Sequence, residues 1–298
     1  YSYYISYWYD LPFRYNRIRN MLQEKSHHSA QTFKNIQTDF KSENVKYYLP
    51  RVLNILEKQT WNGMEMDGLK YLKDWNMSMD ADQVAPLVYE TFFMQFLEKI
   101  FADEMGETLY KEFISDKILV RNAIHRIMTN GISPFCDDIK TAGITETLSD
   151  IVISSYKSTI NLLKDQLGDK VKDWRWGSMH KISVNHYLGS VWILDKVFCL
   201  NRGPYEVGGS FHTVEPFSYK YLTPFETTHG ASQRHIYVTG NWDESWSIIP
   251  TGISGIPASP YYCDQTVLYL HKKYRHDWFS EHRVKKNARF SFEIYPGK

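Results

Sequence analysis

Residues 250–265 read Pro-Thr-Gly-Ile-Ser-Gly-Ile-Pro-Ala-Ser-Pro-Tyr-Tyr-Cys-Asp-Gln, and this is the most informative stretch of the chain. Glycine supplies backbone geometries that side chains forbid and proline fixes φ, so the composition predicts a shaped loop rather than a linker. A tight loop leaves backbone donors unpaired, and short polar side chains can accept from them. We therefore predict that Asp264 or Gln265 bonds backbone groups of the turn over residues 252–259.

The same stretch contains a near match to the G-x-S-x-G elbow of serine hydrolases. Its Gly252-Ile253-Ser254-Gly255-Ile256 segment has Ile256 at the position where the elbow needs its second glycine. The pattern therefore favours a turn-forming Ser254 over a nucleophilic one.

Composition indicates an ordinary globular protein. The chain has 298 residues, of which 43% are hydrophobic, and a net charge of +1. A charge this small gives no electrostatic reason to expect nucleic acid or a membrane surface as partner. No apolar run approaches the ~20 residues of a membrane span. Aromatic residues reach 16% and indicate either a large aromatic core or a ligand surface. The second possibility leaves open a non-catalytic binding module for a glycan or a protein partner.

Cysteine and histidine spacings predict no metal site and no cofactor. The cysteines Cys136, Cys199 and Cys263 are widely spaced, which fits neither a disulfide framework nor a zinc site and permits one bridge with a spare thiol. His180 and His186 lie outside any H-E-x-x-H or C-x-x-C pattern. The sequence also contains neither a calcium loop nor a phosphate-binding glycine loop.

The hydrophobic periodicity changes along the chain and predicts an α+β fold. Apolar residues recur every three to four positions in the first half, which predicts helices near residues 33–56, 82–106, 107–130 and 145–167, with a break or kink at Pro50. From Trp174 onward glycine and proline become dense, and residues 235–239 and 290–294 alternate as strands do. We predict a mostly helical region over residues 1–172 and a β-rich region over residues 173–298, which form one body.

Six short motifs follow one another in a fixed order. They comprise Trp8 with Phe13-Arg14-Tyr15-Asn16-Arg17-Ile18; Trp174-Arg175-Trp176-Gly177-Ser178-Met179-His180; Asn185-His186-Tyr187-Leu188-Gly189; Gly208-Gly209 with Thr213-Val214; Gly230, Ser232 and Arg234; and Gly252, Ser254, Gly255, Ser259, Tyr262, Asp264 and Gln265. The series resembles the motifs of the penicillin acylase family of N-terminal-nucleophile (Ntn) hydrolases. Tyr187 replaces the proline of its H-P-L-G element, and Glu215 replaces the asparagine of its T-V-N element.

The resemblance implies both a fold and an activity. The strands would complete an αββα Ntn sandwich that is incomplete within these residues. A self-processed precursor would hydrolyse a linear amide to a carboxylic acid and an amine. Its nucleophile would begin the large chain and use its own α-amine as the base. By the family's spacing, the nucleophile and the oxyanion asparagine fall before Tyr1, so we expect residues 1–298 to be an inactive C-terminal part of the nucleophile-bearing chain.

Arg14 alone matches a catalytic position of the family, and the resemblance gives it an orienting role. A structural ion pair at a helix start is the alternative. The implied partners are the N-terminal portion of the same precursor and a small acyl amide substrate, without nucleic acid or a membrane span. A family-type calcium site would lie mainly upstream, and the resemblance implies a periplasmic or secreted protein.

Overall fold

A computed structural model describes residues 2–6 and 8–297, so Tyr1 lies outside the described residues. Its helices are α1 (Phe13–Gln23), α2 (Ala30–Gln37), α3 (Glu43–Leu56), α4 (Gly63–Lys73), α5 (Ala85–Ser115), α6 (Lys117–Asn130), α7 (Leu148–Leu167), α8 (Trp176–Met179), α9 (Trp192–Phe198), α10 (Thr266–Leu270) and α11 (Glu281–Asn287). Its strands are β1 (Lys181–Val184), β2 (Arg202–Glu206), β3 (Ser218–Lys220), β4 (Thr223–His229), β5 (Arg234–Ile236), β6 (Trp246–Ile248) and β7 (Arg275–His276). Within the described ranges, no helix combines the length and the apolarity that crossing a membrane requires.

Local signals set the helix ends, and some of them differ from the predictions. Thr147 caps α7 through a capping box, and Gly131 ends α6 in the left-handed conformation. Asp116 accepts from the first backbone amides of α6, so the helix predicted over residues 107–130 is split there. Helix α5 continues beyond Gly106, which adopts φ 67° at a kink. Helix α3 runs through Pro50 without a break.

The chain divides into two compact units that alternate along the sequence. Unit 1 comprises Tyr1–Glu24, Asp39–Ser183 and Arg202–Gly230. Unit 2 comprises Lys25–Thr38, Val184–Asn201 and Ala231–Lys298. The regional division near residue 172 stays a prediction.

Unit 1 combines a helical core with a small mixed sheet. The sheet has the order β2-β1-β4-β3, in which β4 pairs parallel with β1 and antiparallel with β3. Helices α4 and α7 meet closely at Gly68, where a Cβ would lie 2.8 Å from Ile160 Cδ1. The Tyr156 hydroxyl of α7 donates to the Glu65 carbonyl of α4 at 2.6 Å. Helices and sheets together confirm the predicted α+β class.

Unit 2 is built around the antiparallel sheet β5-β6-β7. Helix α2 lies against it, because Gln37 Nε2 donates to the His235 carbonyl at 2.8 Å and Lys34 Nζ lies 3.1 Å from the Trp246 ring centroid. The strand predicted over residues 235–239 is shorter and shifted, from Arg234 to Ile236. The strand predicted over residues 290–294 has no pairing partner among the described residues.

Helix α5 carries a buried carboxyl group inside unit 1. Only 6% of Glu90 is exposed, and its Oε2 accepts from the Tyr219 hydroxyl at 2.6 Å. Burial raises the pKa of Glu90 to about 7, although the Tyr219 hydrogen bond and the Arg121 charge act in the opposite direction. The folded protein therefore holds a proton on Glu90 that the unfolded chain releases at lower pH.

Glu90 should make folding stability fall as the pH rises. Its contribution is complete below the unfolded pKa of 4.5 and is lost as the pH passes through the folded pKa of about 7. Glu90→Gln keeps an acceptor for Tyr219 without the charge, so it should be more stable than wild type at pH 8 by roughly 2–3 kcal/mol. Urea unfolding between pH 4.5 and pH 8 measures this. Glu98→Gln, exposed on the same helix, is the control and should keep the wild-type slope. An unchanged slope in Glu90→Gln would contradict the assignment.

Candidate functional site

The W-x-W-G-x-x-H motif forms a buried support of unit 1. The rings of Trp176 and His180 stack with centroids 4.2 Å apart, and both residues are fully buried. His180 Nδ1 lies 2.9 Å from the Phe225 carbonyl oxygen, and Nε2 lies 3.1 Å from that of Phe217. Burial lowers the pKa of His180 to about 4, so the imidazole is neutral near pH 7. These contacts join β4 to the chain before β3 and leave His180 no access to a substrate.

Gly177 of the same motif is required by close packing. A Cβ at this position would lie 2.9 Å from the Glu206 Cβ and 3.1 Å from the Ala81 Cβ. Its amide also donates to the Ala81 carbonyl at 2.7 Å. The motif thus fixes the segment before α5 against β2.

Residues 208–215, here called the GG loop, form a tight and largely buried turn. A Cβ on Gly208 would lie 2.5 Å from the Met79 carbonyl oxygen, and Gly209 adopts φ +78°. The Thr213 hydroxyl closes the turn, since it accepts from the Ser210 amide and donates to the Glu215 carbonyl. Trp176 Nε1 donates to the Gly209 carbonyl at 3.0 Å and so attaches the GG loop to the buried motif.

Helix α1 places Arg14 on the GG loop. Arg14 Nη2 donates to the Val214 carbonyl at 2.9 Å, and burial of the guanidinium lowers its pKa. The residue keeps exposed surface as well. A cation that is bonded at one edge and open at another can face a substrate or the oxyanion position. Among the described residues, Arg14 contacts a backbone carbonyl, and both its orienting role and the ion-pair alternative stay predictions.

The ion pair of this region belongs to the next arginine of the motif, Arg17. Its Nε and Nη2 donate to the two carboxylate oxygens of Asp39 at 2.8 Å each. The Asp39 carbonyl accepts from the Glu215 amide at 3.2 Å. Arg14, Arg17 and Asp39 therefore hold the end of the GG loop from two sides.

Sequence reasoning missed three charged residues of unit 1: Asp39, Glu90 and Arg121. Arg121 is 8% exposed, forms an ion pair with Asp10, and lies 4.7 Å from the Phe211 ring centroid. A single charge inside an apolar helical pattern was the available signal for Glu90, within Val-Tyr-Glu-Thr-Phe-Phe. Asp39 carried no such signal, because it lies between α2 and α3 and its partner Arg17 lies on α1.

The motif residues His186, Gly230, Ser232 and Arg234 lie in unit 2 or at its boundary. The His186 amide donates to Asn201 Oδ1 at 2.9 Å, and its Nδ1 accepts from the Leu188 amide. Arg234 is 3% exposed, and its Nη2 donates to the Tyr269 carbonyl at 2.6 Å. Gly230 and Ser232 are exposed. His186 and Arg234 therefore have structural contacts in this unit.

The loop over residues 250–265 is held by its own backbone and serines. Ser254 Oγ accepts from the Ile256 amide at 3.1 Å, and Ser259 Oγ accepts from the Tyr261 amide at 3.2 Å. The Tyr262 hydroxyl donates to the Leu200 carbonyl at 2.6 Å. These contacts place Ser254 in a turn and give it no histidine partner among the described residues.

Asp264 and Gln265 do not contact the backbone groups of the turn as predicted, but bond to other residues. Asp264 Oδ2 accepts from Arg275 Nη1 at 3.0 Å. Gln265 Oε1 accepts from the Ile249 amide at 3.3 Å, and the Gln265 amide donates to the Thr251 carbonyl at 3.1 Å. The prediction of bonds to residues 252–259 is therefore wrong, because Gln265 closes the base of the loop and the serines satisfy its interior.

The described residues contain no cluster of three or more His, Cys, Asp or Glu side chains that could hold a metal ion. A calcium site elsewhere in the parent protein stays a prediction.

Two glycines of the loop should respond differently to substitution. A Cβ on Gly252 would lie 2.0 Å from the Tyr261 carbonyl oxygen and 2.7 Å from Asp264 Oδ1, whereas Gly255 has open space. Gly252→Ala should lower the free energy of unfolding by ~1–3 kcal/mol through overpacking. Gly255→Ala should stay within ~0.5 kcal/mol of wild type. Thermal and urea unfolding measure both, and equal effects would show that the loop is not packed as described.

Comparisons with curated proteins show similarity to acylases. The chain is 30% identical over 193 residues to an acyl-homoserine lactone acylase QuiP of Pseudomonas fluorescens (strain Pf0-1). The matched region covers 63% of this chain and 22% of the relative. It is 31% identical over 124 residues to a penicillin acylase 2 proenzyme of Pseudomonas sp. (strain SE83). This second matched region covers 41% of this chain and 16% of the relative. The matches thus span about a quarter or less of the length of these relatives.

The fold and the family follow from two further comparisons. The thermostable penicillin G acylase of Alcaligenes faecalis matches with a TM-score of 0.55 at 14% identity, over 100% of this chain and 54% of that chain. At this identity the match shows the fold alone, which is the Ntn-hydrolase fold implied by the motifs. A family model described as penicillin amidase matches residues 1–286. The chain belongs to the penicillin amidase family.

Proposed function

We propose that residues 1–298 are a C-terminal part of the nucleophile-bearing chain of an amidohydrolase. The parent protein hydrolyses a linear amide to a carboxylic acid and an amine. The observation that carries this proposal is the family match over residues 1–286, which is nearly the whole chain. The acylase names of the similar curated proteins support the same reaction.

The proposed mechanism uses a nucleophile from another part of the parent protein. A precursor cleaves itself and exposes a serine, or another nucleophile, at the start of the large chain. Its hydroxyl attacks the amide carbon while its α-amine accepts the proton, because an α-amine pKa of roughly 8 lies near working pH. The amine product leaves with that proton, and water then hydrolyses the acyl ester to the carboxylic acid. An asparagine and a backbone amide stabilise the oxyanion.

Arg14 is the residue of this chain that we place nearest to the chemistry. Its guanidinium is anchored on the Val214 carbonyl, while part of its surface stays exposed. Because its guanidinium is already held in place, the side chain needs little rearrangement to orient the oxyanion hole or the substrate. We assign Arg14 an orienting role and give the buried His180 and Trp176 a structural one.

The substrate is proposed to be a small N-acyl amide. The relative that covers more of this chain is named for acyl-homoserine lactones, so N-acyl-homoserine lactones are the first class to test, followed by penicillins and other acylated amines. We also propose a periplasmic or secreted location and a family-type calcium site that lies mainly outside these residues.

The complete gene product and residues 1–298 should differ in activity. Ntn chemistry needs the nucleophile and its α-amine on one residue, so an internal serine cannot replace it. We expect turnover of N-acyl-homoserine lactones or chromogenic acyl amides by the complete protein and none by residues 1–298. Amine release on one substrate panel measures both. Turnover by residues 1–298 would refute the placement of the nucleophile, and a self-cleaved complete protein without turnover would refute the amidohydrolase proposal.

Removing the Arg14 side chain should slow the reaction rather than unfold the protein. In the complete protein, Arg14→Ala should lower kcat by ~10²-fold if Arg14 orients the reacting groups. Arg19→Ala is the matched control, because Arg19 is exposed on the same helix. Steady-state kinetics with a thermal unfolding curve for each variant separate the two effects. A wild-type kcat in Arg14→Ala, or an equal loss in Arg19→Ala, would contradict the orienting role.

A further inference from the structure

The tail over residues 290–295 has the side-chain pattern of a half-buried strand but lies exposed. Phe290, Phe292 and Ile294 are 83%, 84% and 85% exposed. Alternation of apolar and other residues over six positions is typical of a strand with one face in a core. Three large apolar side chains in one row are unfavourable in water, which indicates that this face is covered in the working protein.

The opposite face of the tail is more polar. Ser291, Glu293 and Tyr295 occupy the alternate positions, and the Tyr295 hydroxyl donates to the Glu293 carboxylate. That contact between residues two apart places both side chains on one face, as an extended backbone does. Pro296 follows directly and ends the segment, because proline cannot donate to a ladder. The six residues have the usual length of a strand.

The backbone of the tail also needs a partner. The last backbone hydrogen bond before it runs from the Ala288 amide to the Val284 carbonyl at the end of α11, and none follows in the described residues. The sheets of this chain end in short strands: β2 has five residues, β3 three, β5 three and β7 two. None of these described edges is long enough to pair with all six residues of the tail.

We propose that residues 290–295 form a β-strand on a sheet edge in the part of the parent protein outside residues 1–298, with Phe290, Phe292 and Ile294 facing the core beneath that sheet. This inference rests on the proposed function only in taking the chain as part of a longer protein. The length of the relatives supports a sheet edge in the same parent protein, because the matched regions cover about a quarter or less of each relative's length. An edge in the same polypeptide is also present at high effective concentration, which a separate partner is not. Backbone pairing gives the affinity, and the alternate side chains fix the register.

Hydrogen–deuterium exchange tests the pairing without reference to activity. In the complete wild-type protein the amides of residues 290–295 should exchange at least about tenfold more slowly than in residues 1–298 alone. Equal exchange in the two proteins would overturn the proposal. The measurement stays decisive if the complete protein hydrolyses no amide, so failure of the proposed activity and failure of the pairing are distinguishable.

Two neighbouring substitutions test which face is covered. In the complete protein, Phe292→Asp should lower Tm by ~2–4 °C or more, because it places a charge beneath the sheet. Ser291→Asp changes the adjacent residue on the opposite face and should leave Tm within ~1 °C. Equal shifts would overturn the assigned faces. If Phe292→Asp does not accumulate, Phe292→Leu should restore a folded protein while Phe292→Ser should not.

Other occupants give different results, and each of them overturns the proposal. Protection in residues 1–298 alone that rises with protein concentration would identify a second copy as the partner. Protection that appears only with vesicles of mixed zwitterionic and anionic phospholipid would identify a lipid surface.

Discussion

The stack of Trp176 on His180 is the contact on which the sheet of unit 1 and the GG loop depend. The two rings lie 4.2 Å apart in a fully buried position, and every polar atom they carry faces a backbone carbonyl. Through those carbonyls the pair joins β4, the entry to β3 and the GG loop. Loss of either ring would leave a buried carbonyl without its donor, because the indole and the neutral imidazole each carry one N–H, and this costs more than the loss of an exposed hydrogen bond. A motif with a tryptophan and a histidine thus acts as a support and not as a catalyst.

The position of Arg14 follows from that support. Trp176 holds Gly209 at one end of the GG loop, and the Asp39 carbonyl holds Glu215 at the other. Arg14 bonds Val214 between these points, so its guanidinium is placed by a loop whose backbone is fixed on both sides. Arg17 of the same helix forms an ion pair with Asp39, which precedes α3. The hydrogen bond of Arg14 to a backbone carbonyl does not neutralise its guanidinium, so the side chain brings a positive charge to the GG loop.

The sequence predicted the elements that depend on local chemistry and failed where distant partners decide. Thr147 and Gly131 mark helix ends because capping and left-handed turns are local effects. Asp116 splits one predicted helix into two because its carboxylate accepts hydrogen bonds from the Ile118 and Leu119 amides and so starts α6. Hydrophobic periodicity alone does not reveal such a cap. Asp264 pairs with Arg275 on β7 instead of the loop, and Glu90 meets Tyr219 from β3. Such pairings require the fold, so only the motif resemblance could point to the Arg14 region.

The two units differ in how much apolar surface they bury. Among the largest fully buried side chains, Trp174, Trp176, Tyr156, Tyr219 and Phe96 belong to unit 1, whereas Tyr269 belongs to unit 2. Unit 2 instead exposes Trp192, Ile193 and Phe198 on α9, a helix with no buried residue, in addition to Phe290 and Phe292. Exposed patches of this kind mark interfaces more often than solvated surface. Unit 1 also exposes apolar side chains, among them Tyr3, Tyr4 and Ile5 before α1, but it holds Arg14 on a large buried core of its own.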